Sequence, residues 1–120
     1  MTVAVGRNDA AINPILHGEM AAITKQVLSN SLPPNVSVYD VAPHLVLLTT
    51  AEPCPMCMSA IEWSGFATVY YGTSIPFITS LGQNQIQLRA TQVAAATPWR
   101  NTSVVGGILE AECNKLYTKL

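Results

Sequence analysis

Charged side chains are scarce in this sequence, with six Lys and Arg and seven Asp and Glu making 11% of 120 residues, against ~25% in an ordinary soluble domain. The basic residues Arg7, Lys25, Arg89, Arg100, Lys115 and Lys119 are scattered. Without a basic stripe or arm, a polynucleotide partner is not expected. Long apolar runs are missing as well. The most apolar stretches, such as "HLVLL" at 44–48, fall far short of the ~20 residues that span a bilayer, so no membrane partner is expected. "MTVAVGRND" has neither a basic region leading into a long apolar core nor a cleavage site, and a soluble cytoplasmic protein is the simplest expectation. Only three cysteines and two histidines are present. In a reducing compartment structural disulfides are disfavoured, and a Cys-x-x-Cys pair more often means metal or redox chemistry.

What is abundant is apolar surface, at 49% of residues. A single domain over residues 1–120 buries roughly two-thirds of its unfolded surface. With so few charges, some of the remainder is expected to meet another copy, as a homodimer or larger homo-oligomer. Thr2 to Val5 reads as the end of a strand. A helix is predicted from Pro14 to Ser29, with Leu16, Met20, Ile23 and Val27 at helical spacing. Leu45 to Leu48 reads as a strand buried on both faces. Pro55 to Ser64 reads as a helix closed by Gly65. "TVYYG" at 68–72 follows as a buried strand, "SIPFITSLGQNQ" as irregular chain, "RATQVAAAT" as helix and "TSVVGG" as a short strand. Ile108 to Leu120 is expected to form a last amphipathic helix. Strands alternating with helices predict an α/β layered domain on a mostly parallel sheet.

Two short words hold most of the metal-binding residue types: "LHGEM" at 16–20 and "EPCPMC" at 52–57. Cys54 and Cys57, three apart at a helix start, direct both sulfurs to one point, where the helix N-terminus and a cation favour thiolates. His17 is the best third ligand. A Cys₂His set leaves a fourth position for water, the catalytic rather than structural pattern of zinc. Glu19 lies roughly 200° around a regular helix from His17, a poor co-ligand. It could still flank the bound water, take its proton and return it to a leaving group. Alternatives stand beside this reading. The cysteines could be a redox pair, or a structural zinc could recruit Cys113 or His44. Cys113 reads more simply as core with Leu109, Leu116 and Leu120, and His44 as a surface or turn residue. Trp63, Tyr70 and Tyr71 read as core aromatics.

"HGEMAAI" and "TTAEPCPMCMSAIEW" resemble the zinc deaminase signature H-x-E…P-C-x-x-C of the cytidine and deoxycytidylate deaminase superfamily. They are most similar to its purine-acting branch, the bacterial guanine deaminases and tRNA adenosine deaminases. The resemblance is specific from about Val3 to Tyr71 and weaker through "SVVGGILEAEC". It implies a three-layer α/β/α sandwich with a mixed, mostly parallel sheet, one zinc per chain and homodimers. Carried onto this sequence, His17, Cys54 and Cys57 would bind zinc and Glu19 would shuttle protons. Asn8 in "VGRN" would hydrogen-bond the base; its plainer role is a turn asparagine. Relatives place a helix and a strand before the stretch matching "TVAVGRN", so this chain, starting at Met1, is expected to lack that first helix and strand. The interval from Asn8 to His17 is also short for the family.

The implied activity is hydrolytic deamination of a free nucleobase or related aminated heterocycle, guanine foremost, with a nucleoside substrate left open. A tRNA adenosine deaminase and a catalytically silent zinc-stabilised scaffold are the rival readings. Phe77, Trp99 and Arg100 lie in loops that could wall the pocket, and each reads equally well as packing or solvated surface.

Overall fold

The computed structural model describes residues 1–24 and 27–118. Its elements in chain order are α1 (Gly18–Ile23), α2 (Leu28–Ser31), α3 (Val38–Val41), a 3₁₀ turn (Ala42–His44), β1 (Val46–Ala51), α4 (Pro55–Ser64), β2 (Thr68–Thr73), α5 (Ile75–Ser80), α6 (Ala90–Ala95), β3 (Ser103–Val105) and α7 (Glu110–Tyr117). The strands lie in the order β1-β2-β3 and both pairings are parallel, with Leu47 opposite Val69 and Val69 opposite Val104. Parallel neighbours need crossover connections; α4 supplies the first, α5 and α6 the second. Among the described residues no helix is long and apolar enough to cross a membrane.

Period-two alternation sorts the sheet into its layers. Leu47 and Val69 face Ile23, Met58, Ile61, Phe66 and Ala90, which together form the buried core. The opposite face of β2 carries α7. There Gly72 lets the helix come so close that a Cβ would fall 2.3 Å from the Cys113 Sγ. Helices therefore cover both faces, the α/β/α arrangement expected. Among the described residues the sheet is three-stranded and wholly parallel rather than mixed.

Several local expectations need correction. The first helix does not run from Pro14 to Ser29. Asn13 accepts the Ile15 N–H on its own side chain (3.2 Å) and the Leu16 N–H on its carbonyl (2.9 Å), and this turn takes Pro14 out of the helix. His17 is extended at ψ 160°, so α1 starts at Gly18. Lys25 and Gln26 lie outside the described residues. Thr2 to Val5 is not part of the sheet. "SIPFITS" is helix rather than irregular chain, because the Ser74 hydroxyl accepts the Phe77 N–H (3.2 Å) and Pro sits in the first turn.

Leu45 to Leu48 is not buried on both faces. Leu47 is 8% exposed, but Val46 and Leu48 are 53% and 73% exposed. The reason is positional: α7 sits over β2 and reaches β1 through the bond between Tyr117 and Thr50 (2.7 Å), leaving the earlier half of β1 uncovered. The apolar stripe of α7 is not core either. Leu109 and Leu116 are exposed, Cys113 is half-buried, and Lys119 and Leu120 lie outside the described residues. Tyr71 is buried as expected and Trp63 is not.

Candidate metal centre

Two helix starts build the centre. His17 is the N-cap of α1, and the loop at residue 6 folds back on that helix. That fold-back demands glycine at position 6, since a Cβ there would fall 2.3 Å from the Gly18 carbonyl oxygen and 2.4 Å from the Ala22 nitrogen. Cys54 is the N-cap of α4 and Pro55 occupies its first turn, where a missing N–H costs nothing. The Met58 N–H donates to the Cys54 carbonyl at 2.7 Å, and the first turn brings Cys57 beside Cys54. Gly65, at φ +95°, closes the helix in the left-handed conformation that favours glycine.

The side chains of His17, Cys54 and Cys57 converge, and their ligand atoms all lie within 4.8 Å of one another. His17 Nδ1 is 3.6 Å from Cys54 Sγ. Zinc bonds of ~2.0–2.1 Å to nitrogen and ~2.3 Å to sulfur, at a tetrahedral angle, place those two atoms about 3.5–3.6 Å apart. The spacing and the N/S donor set fit that ion. The hydrogen bond with Cys57 is the main cause that lowers the Cys54 thiol to about 5, and the charge of His17 adds to it. The same bond chiefly pushes Cys57 upward, with burial and the nearby Glu19 carboxylate adding to the shift. A cation between the sulfurs would replace the shared proton.

Glu19, two residues from His17, is not one of the converging ligands. Its Oε1 accepts a hydrogen bond from the Thr49 hydroxyl of β1 at 2.5 Å. Thr49 Oγ1 also lies 2.9 Å from the Ala51 carbonyl, so the strand holds the acid in place. Tyr117 reaches the same side from α7; burial chiefly raises its phenol, and the Glu19 charge contributes. Sequence reasoning missed Thr49 and Tyr117. A threonine in a strand and a tyrosine in a helix carry no motif, and only their folded neighbours single them out.

Asn8 lies in the loop packed on α1, its backbone nitrogen 3.8 Å from where a Gly18 Cβ would stand. Its Oδ1 accepts the Ala10 N–H at 2.8 Å, the behaviour of a turn asparagine. Trp99 and Arg100 go elsewhere. Trp99 packs on Trp63, ring centroids 5.1 Å apart, at the far end of α4. Arg100 donates to the Glu62 carbonyl at 3.0 Å and sits 5.2 Å above the Tyr39 ring. Phe77 lies in the first turn of α5. A cavity of about 540 Å³ runs along β1 beside residues 1–6 and touches Glu19 and Thr49. None of the three converging ligands lines it, so it lies behind the acid rather than over the metal position.

Fold and site together define an α/β protein with a histidine–dicysteine zinc centre. The model of the cytidine and deoxycytidylate deaminase zinc-binding region matches residues 1–73. The chain therefore belongs to that deaminase family, and zinc is its cofactor. A guanine deaminase from Nitrosomonas europaea has a similar fold, with TM-score 0.74 and 21% identity over 95% of this chain and 62% of that one. The protein NE0047 in complex with 2,6-diaminopurine gives 0.70 and 19% over 95% and 60%. A variant of it with 8-azaguanine gives 0.71 and 20% over 95% and 63%. This chain thus spans about three-fifths of the length of these structures. No curated protein sequence matches it.

Proposed function

We propose that the chain catalyses hydrolytic deamination of a free nucleobase or related aminated heterocycle, guanine foremost, releasing ammonia. The observation that carries this reading is the convergence of His17, Cys54 and Cys57 with Glu19 held beside them but outside the ligand set. The likeness to structures described as a guanine deaminase and as a purine-analogue complex supports the purine preference.

His17, Cys54 and Cys57 hold the metal in this reading. Zinc held there supplies a Lewis acid that lowers the pKa of water toward ~7. Glu19 accepts a proton from the attacking water and passes it to the departing amine, so water enters and ammonia leaves with no other reactant. The Thr49 hydroxyl fixes Glu19 Oε1, which leaves Oε2 for the transfer. With Asn8 Oδ1 engaged by Ala10, the Asn8 amide N–H group remains to donate to the base. Exposed Val46, Leu48, Trp63, Leu109 and Leu116 support a homodimer, and the few, scattered basic residues support a free base over a polynucleotide.

The test is ammonia release by zinc-loaded protein over guanine, adenine, cytosine, their nucleosides and a triazine, with Glu19→Ala alongside. Release from one substrate, lost by roughly 10²–10⁴-fold in the variant, is expected. Equal release by Glu19→Ala overturns the mechanism, and silence over the whole panel overturns the proposed substrate class.

A further inference from the structure

Two residues ahead of Cys54, the side chain of Glu52 is 1% exposed, and its carboxylate is the most heavily bonded group among the described residues. Oε1 accepts the Ile75 N–H (2.9 Å), the first of α5. Oε2 accepts the Ala90 N–H (2.8 Å), the first of α6. Arg89 Nε donates to both oxygens, at 3.0 and 2.9 Å, while Arg89 Nη2 donates to the Tyr71 hydroxyl at 3.2 Å. The Glu52 backbone N–H adds a bond to the Thr73 carbonyl at 2.7 Å. One residue thus joins the exit of β1 to α5 and α6 through its side chain and to β2 through its backbone. Only buried Pro53 separates it from Cys54.

We infer that Glu52 and Arg89 are positioning residues for the metal, a clamp that sets the Glu52–Pro53–Cys54 turn and with it the distance from Cys54 Sγ to His17 Nδ1. The geometry gives the reason. Cys54 sits at the N-cap, where no intrahelical hydrogen bond from its own N–H fixes it. Its place is inherited from the residues before it, and Glu52 is the one among them tied to three other elements. Pro53 has no N–H to contribute. Arg89, 37 residues further along the chain, closes the clamp from outside, since its side chain is 43% exposed. Tyr71, buried in β2, holds the guanidinium in turn. A metal needs its ligands placed to within a few tenths of an ångström, and supporting partners commonly change affinity by about 10–100-fold.

The inference rests on the zinc site proposed above, and its test does not use turnover. Co²⁺ is titrated into the metal-free chain while thiolate-to-cobalt charge-transfer absorption is recorded, for the native sequence and for Arg89→Met, Arg89→Lys and Glu52→Gln. Melting of each metal-free variant is measured in parallel. The clamp predicts at least about tenfold weaker cobalt binding in Arg89→Met at a temperature where that variant is fully folded, with part of the affinity restored in Arg89→Lys. Glu52→Gln, which turns an amide group toward three donors, is expected to be worse and can fail to fold; Arg89→Met keeps both backbone bonds to Glu52 and decides the matter. Cobalt affinity within twofold of native in folded Arg89→Met, with only its melting temperature lowered, makes the clamp purely structural and overturns the inference. Absence of the charge-transfer band in the native chain removes the metal site itself, a different failure that takes the clamp with it.

Discussion

At its first turn α4 presents Cys54 and Cys57 to His17, with Glu52 fully bonded just before them. At its last turn, about 9 Å further along the axis, it presents Glu62 and Trp63. Glu62 is as buried as Glu52, at 2% against 4% exposed, yet among the described residues neither of its carboxylate oxygens has a hydrogen-bond partner. Trp63 stands 69% exposed against Trp99, next to Arg100 over Tyr39. One end of the helix spends its polar groups on a fixed geometry. The other leaves a buried carboxylate unmatched under an open aromatic surface. The contrast teaches that burial alone says little about a carboxylate's role. The number and kind of its donors separates a group that organises a site from one that is merely enclosed.

Changes at the first end are expected to produce the largest effects. Cys57→Ser should abolish stoichiometric zinc retention, read as metal content after gel filtration, since two remaining ligands do not make a zinc site. Glu19→Gln should keep the metal and the fold while turnover falls roughly 10²–10⁴-fold, measured as ammonia release beside metal content. If Glu19→Gln also loses its zinc, the acid is a ligand and the division drawn above between ligands and proton carrier is wrong.

Changes at the second end are expected to be smaller and to leave metal binding alone. Glu62→Met replaces a buried carboxylate that has no partner among the described residues with an apolar chain of similar size, and should raise stability by about 1–3 kcal/mol, read as a shift in the urea midpoint. A loss of stability there would mean that Glu62 has a partner in the assembled protein. Trp99→Ala should cost about 1 kcal/mol, the worth of an aromatic pair, with cobalt affinity unchanged. A change in cobalt affinity would connect the two ends of the helix.

The pairing of Cys54 with Cys57 was legible in the sequence because its information is local. Three residues of spacing at a helix start place Cys54 and Cys57 together, whatever the rest of the chain does. His17 and Glu19 could be joined to them by residue type and by the resemblance, while nothing local reports that residue 17 meets residue 54. Helix α4, its Gly65 cap and strands β2 and β3 were legible for the same local reason. Helix α5 was missed although its cap, Ser74, was in plain view, because "SLGQNQ" behind it reads as loop and the helix is short. The exposure of Val46, Leu48 and Trp63 was misread for another reason: an apolar residue reports that it prefers burial, and only the arrangement of neighbours decides whether anything covers it.

The sequence by itself offered the chemistry, Cys54 and Cys57 paired by their short spacing with His17 and Glu19 as the candidate third ligand and acid, because side-chain chemistry does not depend on the fold. The tertiary structure alone decided that Thr49 holds Glu19, that Glu52 is tied to Arg89 and to the first amides of α5 and α6, and that Trp99 and Arg100 leave the site. Those contacts join residues 23 to 38 positions apart. Such distances along the chain are bridged by the parallel crossovers of the sheet, whose path no local pattern of side chains records.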